Sequence, residues 1–181
     1  MRRAAVLLAI VAPLAIGGCG LRPLYADGGR GPVARALAGI EVGEIGGRGG
    51  WLVRNALVDR LAAAGRGAGA RYRLEVELDD QIQGFGIRKD NAVTRERRTL
   101  RARYRLLDLQ ANASVVLDAT AGSDAGIDVV RSEYAVIAAE QSALEWLSDQ
   151  VADQIVARLA LHAARTGEAP LPPAGAAKPG A

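Results

Sequence analysis

Cysteine, histidine and aromatic residues are nearly missing from this chain of 181 residues. It has one cysteine, Cys19, one histidine, His162, and one phenylalanine, Phe85; aromatics make up 4% of it. A lone cysteine cannot close an intrachain disulfide and cannot build a cysteine-rich zinc site. A lone histidine excludes a histidine-based metal centre. His162 continues an apolar spacing three residues after Leu159, so it reads as a partly buried or surface residue rather than a catalytic one. Ser114, Ser123 and Ser142 lack the strand–turn–helix setting of a nucleophile elbow. Glu75, Glu77 and Asp79 alternate with arginines along one strand, which suits cross-strand ion pairs better than acid–base work. No catalytic residue, metal ligand or cofactor site is expected, and no enzyme. Glycine is plentiful, but no phosphate loop results. Gly65-Arg66-Gly67-Ala68-Gly69-Ala70 follows a helix and precedes a strand, the reverse of the nucleotide fingerprint. Gly47-Arg48-Gly49-Gly50 precedes a helix but has no Gly-Lys-Ser/Thr after it.

The cysteine has a particular setting. Arg2 and Arg3 form a positive start, residues 4–16 are apolar, and Ile16-Gly17-Gly18-Cys19 follows. The apolar run is shorter than the ~20 residues a spanning helix needs. The stretch resembles a bacterial lipoprotein signal, in which Cys19 is lipidated and becomes the first mature residue. Ile16 and Gly17 stand where leucine and alanine or serine are commoner in such signals. One acyl chain holds a membrane only marginally and several hold it firmly, so the triacylated cysteine implied, palmitate among its chains, is a stable anchor outside the cytoplasm. Gly20 in place of an aspartate leans towards the outer membrane. Cleavage removes residues 1–18, with two arginines and no acid, so part of the +3 net charge belongs to the leader and does not argue for nucleic acid. The pI of about 9.4 shares that origin.

Four stretches follow: a signal peptide over residues 1–18, a lipidated N-terminus and tether over 19–33, one folded domain over 34–165, and a low-complexity disordered tail over 166–181. Within the domain, residues 36–45 read as an imperfect strand and residues 51–64 as a helix, with Val53, Leu57, Leu61 and Ala64 on one face and Gly65 as the stop. Residues 71–83 alternate strictly: Tyr72, Leu74, Val76 and Leu78 face one way, arginines and acids the other. Residues 84–91 form the connection. Residues 94–107 alternate again, Leu100, Ala102, Tyr104 and Leu106 against Arg101, Arg103 and Arg105. An antiparallel register follows that sets Leu78 opposite Leu100, Val76 opposite Ala102, Leu74 opposite Tyr104, and Glu77 and Glu75 opposite Arg101 and Arg103. Residues 114–121 are a further strand, ended by Gly122-Ser123-Asp124-Ala125-Gly126. A long helix runs over residues 132–165, with Ser132 as N-cap and Ile137, Leu144, Leu147, Val151, Ile155 and Leu159 as its apolar stripe. The order strand, helix, three strands, helix predicts a two-layer α+β domain: a four-stranded sheet with two helices packed on one face.

The basic segment between Gly86 and Arg105 holds eight cations against two acids, Asp90 and Glu96. Arg101, Arg103 and Arg105 pair with the acids of the preceding strand. Arg88, Lys89, Arg95, Arg97 and Arg98 lie nearer the hairpin tip without acids adjacent in sequence. Arginine forks match phosphate oxygens, so these five are the candidate lipopolysaccharide-binding residues, for an anionic lipid or the phosphates of lipid A. Nucleic acid is not expected as a partner in that compartment.

Three stretches carry a family resemblance: Cys19 followed by Gly-x-Arg-Pro-Leu-Tyr, the strand Leu100-Arg-Ala-Arg-Tyr-Arg-Leu-Leu-Asp108, and the helix start Arg131-Ser-Glu-Tyr-Ala-Val-Ile-Ala-Ala-Glu140 with its continuation to Ala160. Together they resemble the lipopolysaccharide-assembly lipoprotein family LptE, in its alphaproteobacterial form. The resemblance implies a non-enzymatic outer-membrane lipoprotein, lipid-anchored and on the periplasmic side, that sits in the lumen of the LptD β-barrel. Members plug that barrel, assist its assembly and help deliver lipopolysaccharide to the cell surface. The competing readings are another envelope lipoprotein acting as a transport-system accessory or binding module, and an extracytoplasmic hydrolase.

Overall fold

The computed structural model describes residues 31–65, 69–87, 93–130 and 132–167. The signal peptide, Cys19, most of the tether, Arg88, Lys89 and residues 168–181 of the C-terminal tail lie outside the described residues, while Thr166 and Gly167 belong to the last helix rather than to the tail. The order of elements is α1 (Pro32–Ala38), β1 (Ile40–Val42), α2 (Gly47–Ala63), β2 (Tyr72–Ile87), β3 (Val93–Asp108), β4 (Ser114–Asp128) and α3 (Glu133–Gly167), with a short 3-10 turn at Leu109–Ala111. The fold is α+β, a four-stranded mixed sheet in the order β1-β2-β3-β4 with the helices against it.

Residues 36–45 differ from the expected strand. Pro32 stands in the first turn, where its missing N–H costs nothing, and Val33, Ala34 and Leu37 bury one side of a two-turn helix. Only Ile40–Val42 remain extended, running parallel to β2 with Ile40 opposite Tyr72. A third helix is therefore added to the two expected. Gly47, Gly49 and Gly50 are helical too: α2 starts at Gly47 rather than Trp51. Gly50 explains one of those glycines. A β-carbon there would lie 2.4 Å from the Ile45 carbonyl oxygen, so the backbone approach admits no side chain. Val53, Leu57 and Leu61 are buried as their spacing requires, while Trp51 faces solvent.

β2 and β3 form a long hairpin, antiparallel as expected, but shifted by two residues. Leu74 faces Leu106, Val76 faces Tyr104, Leu78 faces Ala102, Glu77 faces Arg103 and Glu75 faces Arg105. A shift of two keeps every side chain on its own face, because strand side chains alternate with period two. The apolar pattern therefore cannot choose between the two registers. The length of the turn does, and both strands run further towards it than their alternation suggests, to Ile87 and from Val93. β4 likewise does not stop at Gly122 but pairs with β3 as far as Asp128 opposite Arg95. Its glycines sit in a ladder whose hydrogen bonds outweigh their turn preference.

The core lies between the sheet and the helices. Leu74, Leu100 and Tyr104 from the strands meet Leu57 from α2 and Leu147, Val151, Ile155 and Leu159 from α3. Each such aliphatic side chain contributes roughly 1.5–3 kcal/mol by leaving water. Burial raises the Tyr104 hydroxyl above its ordinary pKa, with a smaller opposing pull from Arg158. Arg60 of α2 joins the helices on their outer side, its Nε 2.6 Å from Asp153 and a terminal nitrogen 3.2 Å from Asp149. The carbonyl of Ser132 accepts from the N–H groups of Ala135 and Val136, which starts α3 where the cap was expected. Ile137, however, is 48% exposed and does not belong to the buried stripe. The core contact of α3 begins at Leu144.

Candidate functional site

The hairpin has two faces, and they divide the basic segment. On the face towards the helices, Leu74, Val76, Leu78, Asp80 and Ile82 line up with Leu106, Tyr104, Ala102, Leu100 and Arg98. On the other, Arg73, Glu75, Glu77, Asp79, Gln81, Gln83 and Phe85 line up with Leu107, Arg105, Arg103, Arg101, Thr99, Arg97 and Arg95.

Arg98 therefore points inward. Its Nε and one terminal nitrogen meet both oxygens of Asp80, at 2.8 and 2.6 Å, and the other terminal nitrogen donates to the Glu140 carbonyl at 2.9 Å. Its side chain is only 12% exposed. The guanidinium is held charged, its pKa raised chiefly by the hydrogen bonds to Asp80. This residue bolts the upper hairpin to α3, with its Nε and both terminal nitrogens engaged.

Arg95 and Arg97 face outward and are exposed, but they are not bare. Arg95 meets Asp128 at 3.0 Å and Arg97 meets Asp124 at 3.7 Å. The Arg97 guanidinium also lies over the Phe85 ring, 5.6 Å from its centroid, within cation–π range. The sequence expectation of acid-free cations is corrected on this point. The missing acids come from β4, whose Asp118, Asp124 and Asp128 have even spacings and so share one face of a strand. That signal is present in the sequence once β4 is carried past Gly122. Arg88 and Lys89 lie outside the described residues.

Below the tip the outer face is a ladder of ion pairs. Arg103 meets Asp118 at 3.0 Å, and Arg105 meets Glu75 at 3.2 Å and Glu77 at 3.6 Å. Arg73 meets Glu41 at 3.5 Å. The partner of Arg103 is thus on β4 rather than β2: although Glu77 stands opposite it, Arg103 reaches diagonally to Asp118, the residue opposite Arg105. The Arg103 hydrogen bond is the main cause that holds the Asp118 carboxyl below its ordinary value of 3.8. Arg101 makes no ion pair among the described residues. Its stem crosses Gly122, where a β-carbon would sit 3.4 Å from its Cγ. The arrangement is a broad polar sheet face, self-neutralised, with a helix-braced tip. Near that tip, Ile82, Phe85 and Ile137 are exposed, and Tyr134 is 88% exposed.

Among the described residues no helix is long and apolar enough to cross a membrane. No cluster of three or more histidine, cysteine or carboxylate residues that could hold a metal ion occurs among them either.

The family model LptE, described as lipopolysaccharide-assembly, matches residues 37–159. No curated protein matches the chain. Among solved structures, one described as a lipoprotein from Caulobacter crescentus CB15 is 30% identical, with a TM-score of 0.62, over 74% of this chain and 98% of its own. A minor lipoprotein from Acinetobacter baumannii is 16% identical, with a TM-score of 0.56, over 67% of this chain and 90% of its own. The rare lipoprotein B of Shewanella oneidensis is 10% identical, with a TM-score of 0.55, over 71% of this chain and 96% of its own. The last two show a shared fold. The matched stretch runs from Leu37 of α1 to Leu159 of α3 and takes in the whole sheet.

Proposed function

Because the chain belongs to the LptE lipopolysaccharide-assembly family, we propose that it is an outer-membrane lipoprotein, anchored through Cys19, that plugs an LptD-type β-barrel, assists its assembly and helps deliver lipopolysaccharide to the cell surface. The observation that carries this reading is the extent of the family match, which covers the sheet, α2 and the core of α3. The polar outer face supports the plug. Barrel interiors are hydrophilic, and a face of charged side chains paired among themselves can be covered by a polar wall without stranding a charge.

The hairpin tip would supply the contact with lipid phosphate. Arg95 and Arg97 suit it, and Arg88 and Lys89, which lie outside the described residues, stay in the candidate set. Exposed ion pairs are worth about 0–1 kcal/mol, so a phosphate can take the place of Asp124 or Asp128 at little cost. Arg98 belongs to the same candidate set but would act as the brace that holds the tip against α3. Reversing the charge of Arg95 and Arg97 together should weaken lipopolysaccharide binding while the domain stays folded. Unchanged binding at low salt would remove the tip from the reading.

The test of the assembly reading is purification of the tagged, full-length protein from its own envelope in mild detergent. A near-stoichiometric large β-barrel is expected beside it. Recovery alone, or with inner-membrane transporter subunits, would favour a transport accessory of the same fold.

A further inference from the structure

β4 is an edge strand of 15 residues with neither proline nor lysine to blunt it. Opposite Arg101, the N–H and carbonyl of Gly122 point away from β3, and the side chain of Gln154 on α3 takes both. The Gly122 N–H donates to Gln154 Oε1 and Gln154 Nε2 donates to the Gly122 carbonyl, each at 3.2 Å. One side-chain amide thus makes the pair of bonds that a peptide unit of a fifth strand would make. By the alternation of an antiparallel ladder, Thr120 and Asp124, two residues either way, turn their backbone groups outward too. An open cleft of about 540 Å³ lies beside this point over the sheet, lined by Asp79, Arg101 and Arg103 of β2 and β3 as well as by Thr120, Asp124 and Gln154. Leu161, seven residues beyond Gln154 and so on the same stripe of α3, is 44% exposed, and Val115 and Val116 at the start of β4 are exposed as well. An apolar margin thus accompanies the free backbone.

We propose that the outer edge of β4 is a docking strand for an extended segment of a partner polypeptide, and that Gln154 is the placeholder that swings away when the segment arrives. Charge selects the occupant. β4 carries Asp118, Asp124 and Asp128 and no cation; Arg103, Arg97 and Arg95 meet these acids only from the β3 side, so a second copy pairing through the same edge would add acids and no cation to their open side. A strand presenting lysine, arginine or neutral side chains fits. The inference rests on the assembly reading in taking that strand from the barrel partner.

Thr120→Pro tests it. The proline removes an outward N–H and places its ring in the path of an added strand, while the bonds from β4 to β3 remain. Wild type, Thr120→Pro and Gln154→Ala are purified at full length from the envelope, and the recovered barrel is quantified. Thr120→Pro should lower recovery by about tenfold or more with thermal unfolding kept near that of wild type, and Gln154→Ala should match or exceed wild type. Full barrel recovery with a folded Thr120→Pro protein overturns the docking strand and leaves the assembly reading standing. Wild type recovered without a barrel overturns the assembly reading, and the proposal with it. If Thr120→Pro unfolds, photo-crosslinking residues at Asp124 on the edge and at Gln81 in the middle of the outer face decide: barrel adducts at Asp124 well above those at Gln81 are expected, and equal adducts, self-adducts or none overturn the proposal.

Discussion

At the scale of single residues, neighbouring arginines in one basic run do different work. Arg97 and Arg98 are adjacent, yet strand alternation sends one to solvent and one beneath α3. Arg98→Met should destabilise the domain by about 1–3 kcal/mol, since it leaves the Asp80 carboxylate without its bidentate partner and the Glu140 carbonyl without a donor. Arg97→Met should cost no more than about 0.5 kcal/mol, the usual cost of an exposed change. Urea unfolding with a common slope separates the two; equal losses would mean that Arg98 is no brace. Asp118 permits a pH test. Its carboxyl titrates below 3.8 in the folded chain because Arg103 favours its charged form. A depressed folded pKa means that the contribution to stability is complete above the unfolded value and is lost as pH falls through the folded one. Carboxyl NMR should therefore find Asp118 titrating below the ordinary aspartate value, and Arg103→Ala should move it upward. No upward movement would mean that the pair does not persist in solution.

At the scale of elements, α3 is one helix with two characters. From Leu144 onward it presents Leu147, Val151, Ile155 and Leu159 to the core, whereas Tyr134 and Ile137 near its start are exposed. Backbone amides of residues 147–160 should exchange with solvent far more slowly than those of 137–143, because local opening is easiest where least apolar surface is buried. Uniform protection by hydrogen-exchange NMR would contradict this. The difference also shows what the sequence makes legible. The 3.6-residue period marks α3 correctly and marks the same stripe through Ile137, since periodicity records which face is apolar and not where the neighbouring layer ends. The strict alternation of β2 and β3 was equally plain, and it settled which residues face the core. It could not settle pairs, because a register two residues away presents the same faces. The acids of Arg95 and Arg97 are hidden for a different reason: they stand on β4 beyond Gly122, where a cluster of glycines reads as a turn. Residues 32–38 were illegible for another reason. A two-turn helix offers too few positions for a period, and only Pro32 signalled it.

At the scale of the whole molecule, the chain enters the fold and the hairpin leaves it at opposite ends. The Gly39 carbonyl, just past α1, accepts from the N–H groups of Arg71 and Tyr72 at the base of β2. The hairpin runs 16 residues from that base to Ile87, about 50 Å at the rise of an extended strand. If Cys19 holds the protein to a bilayer, the tether pulls on the base, and the tip with Arg95, Arg97 and Phe85 stands away from the anchoring leaflet. Any lipid phosphate that the tip meets would then come from elsewhere, as a delivery role requires. Phe85→Cys offers a direct check, because acylation leaves Cys19 without a free thiol. An environment-sensitive dye at position 85 of the acylated protein on anionic vesicles should keep the emission of a water-exposed probe. Added lipid A should shift that emission to the blue, and the shift should be lost in the Arg95/Arg97 charge-reversed protein. A blue shift on the vesicles alone would mean that the tip dips into its own membrane, and the delivery geometry would fail while the family assignment stood.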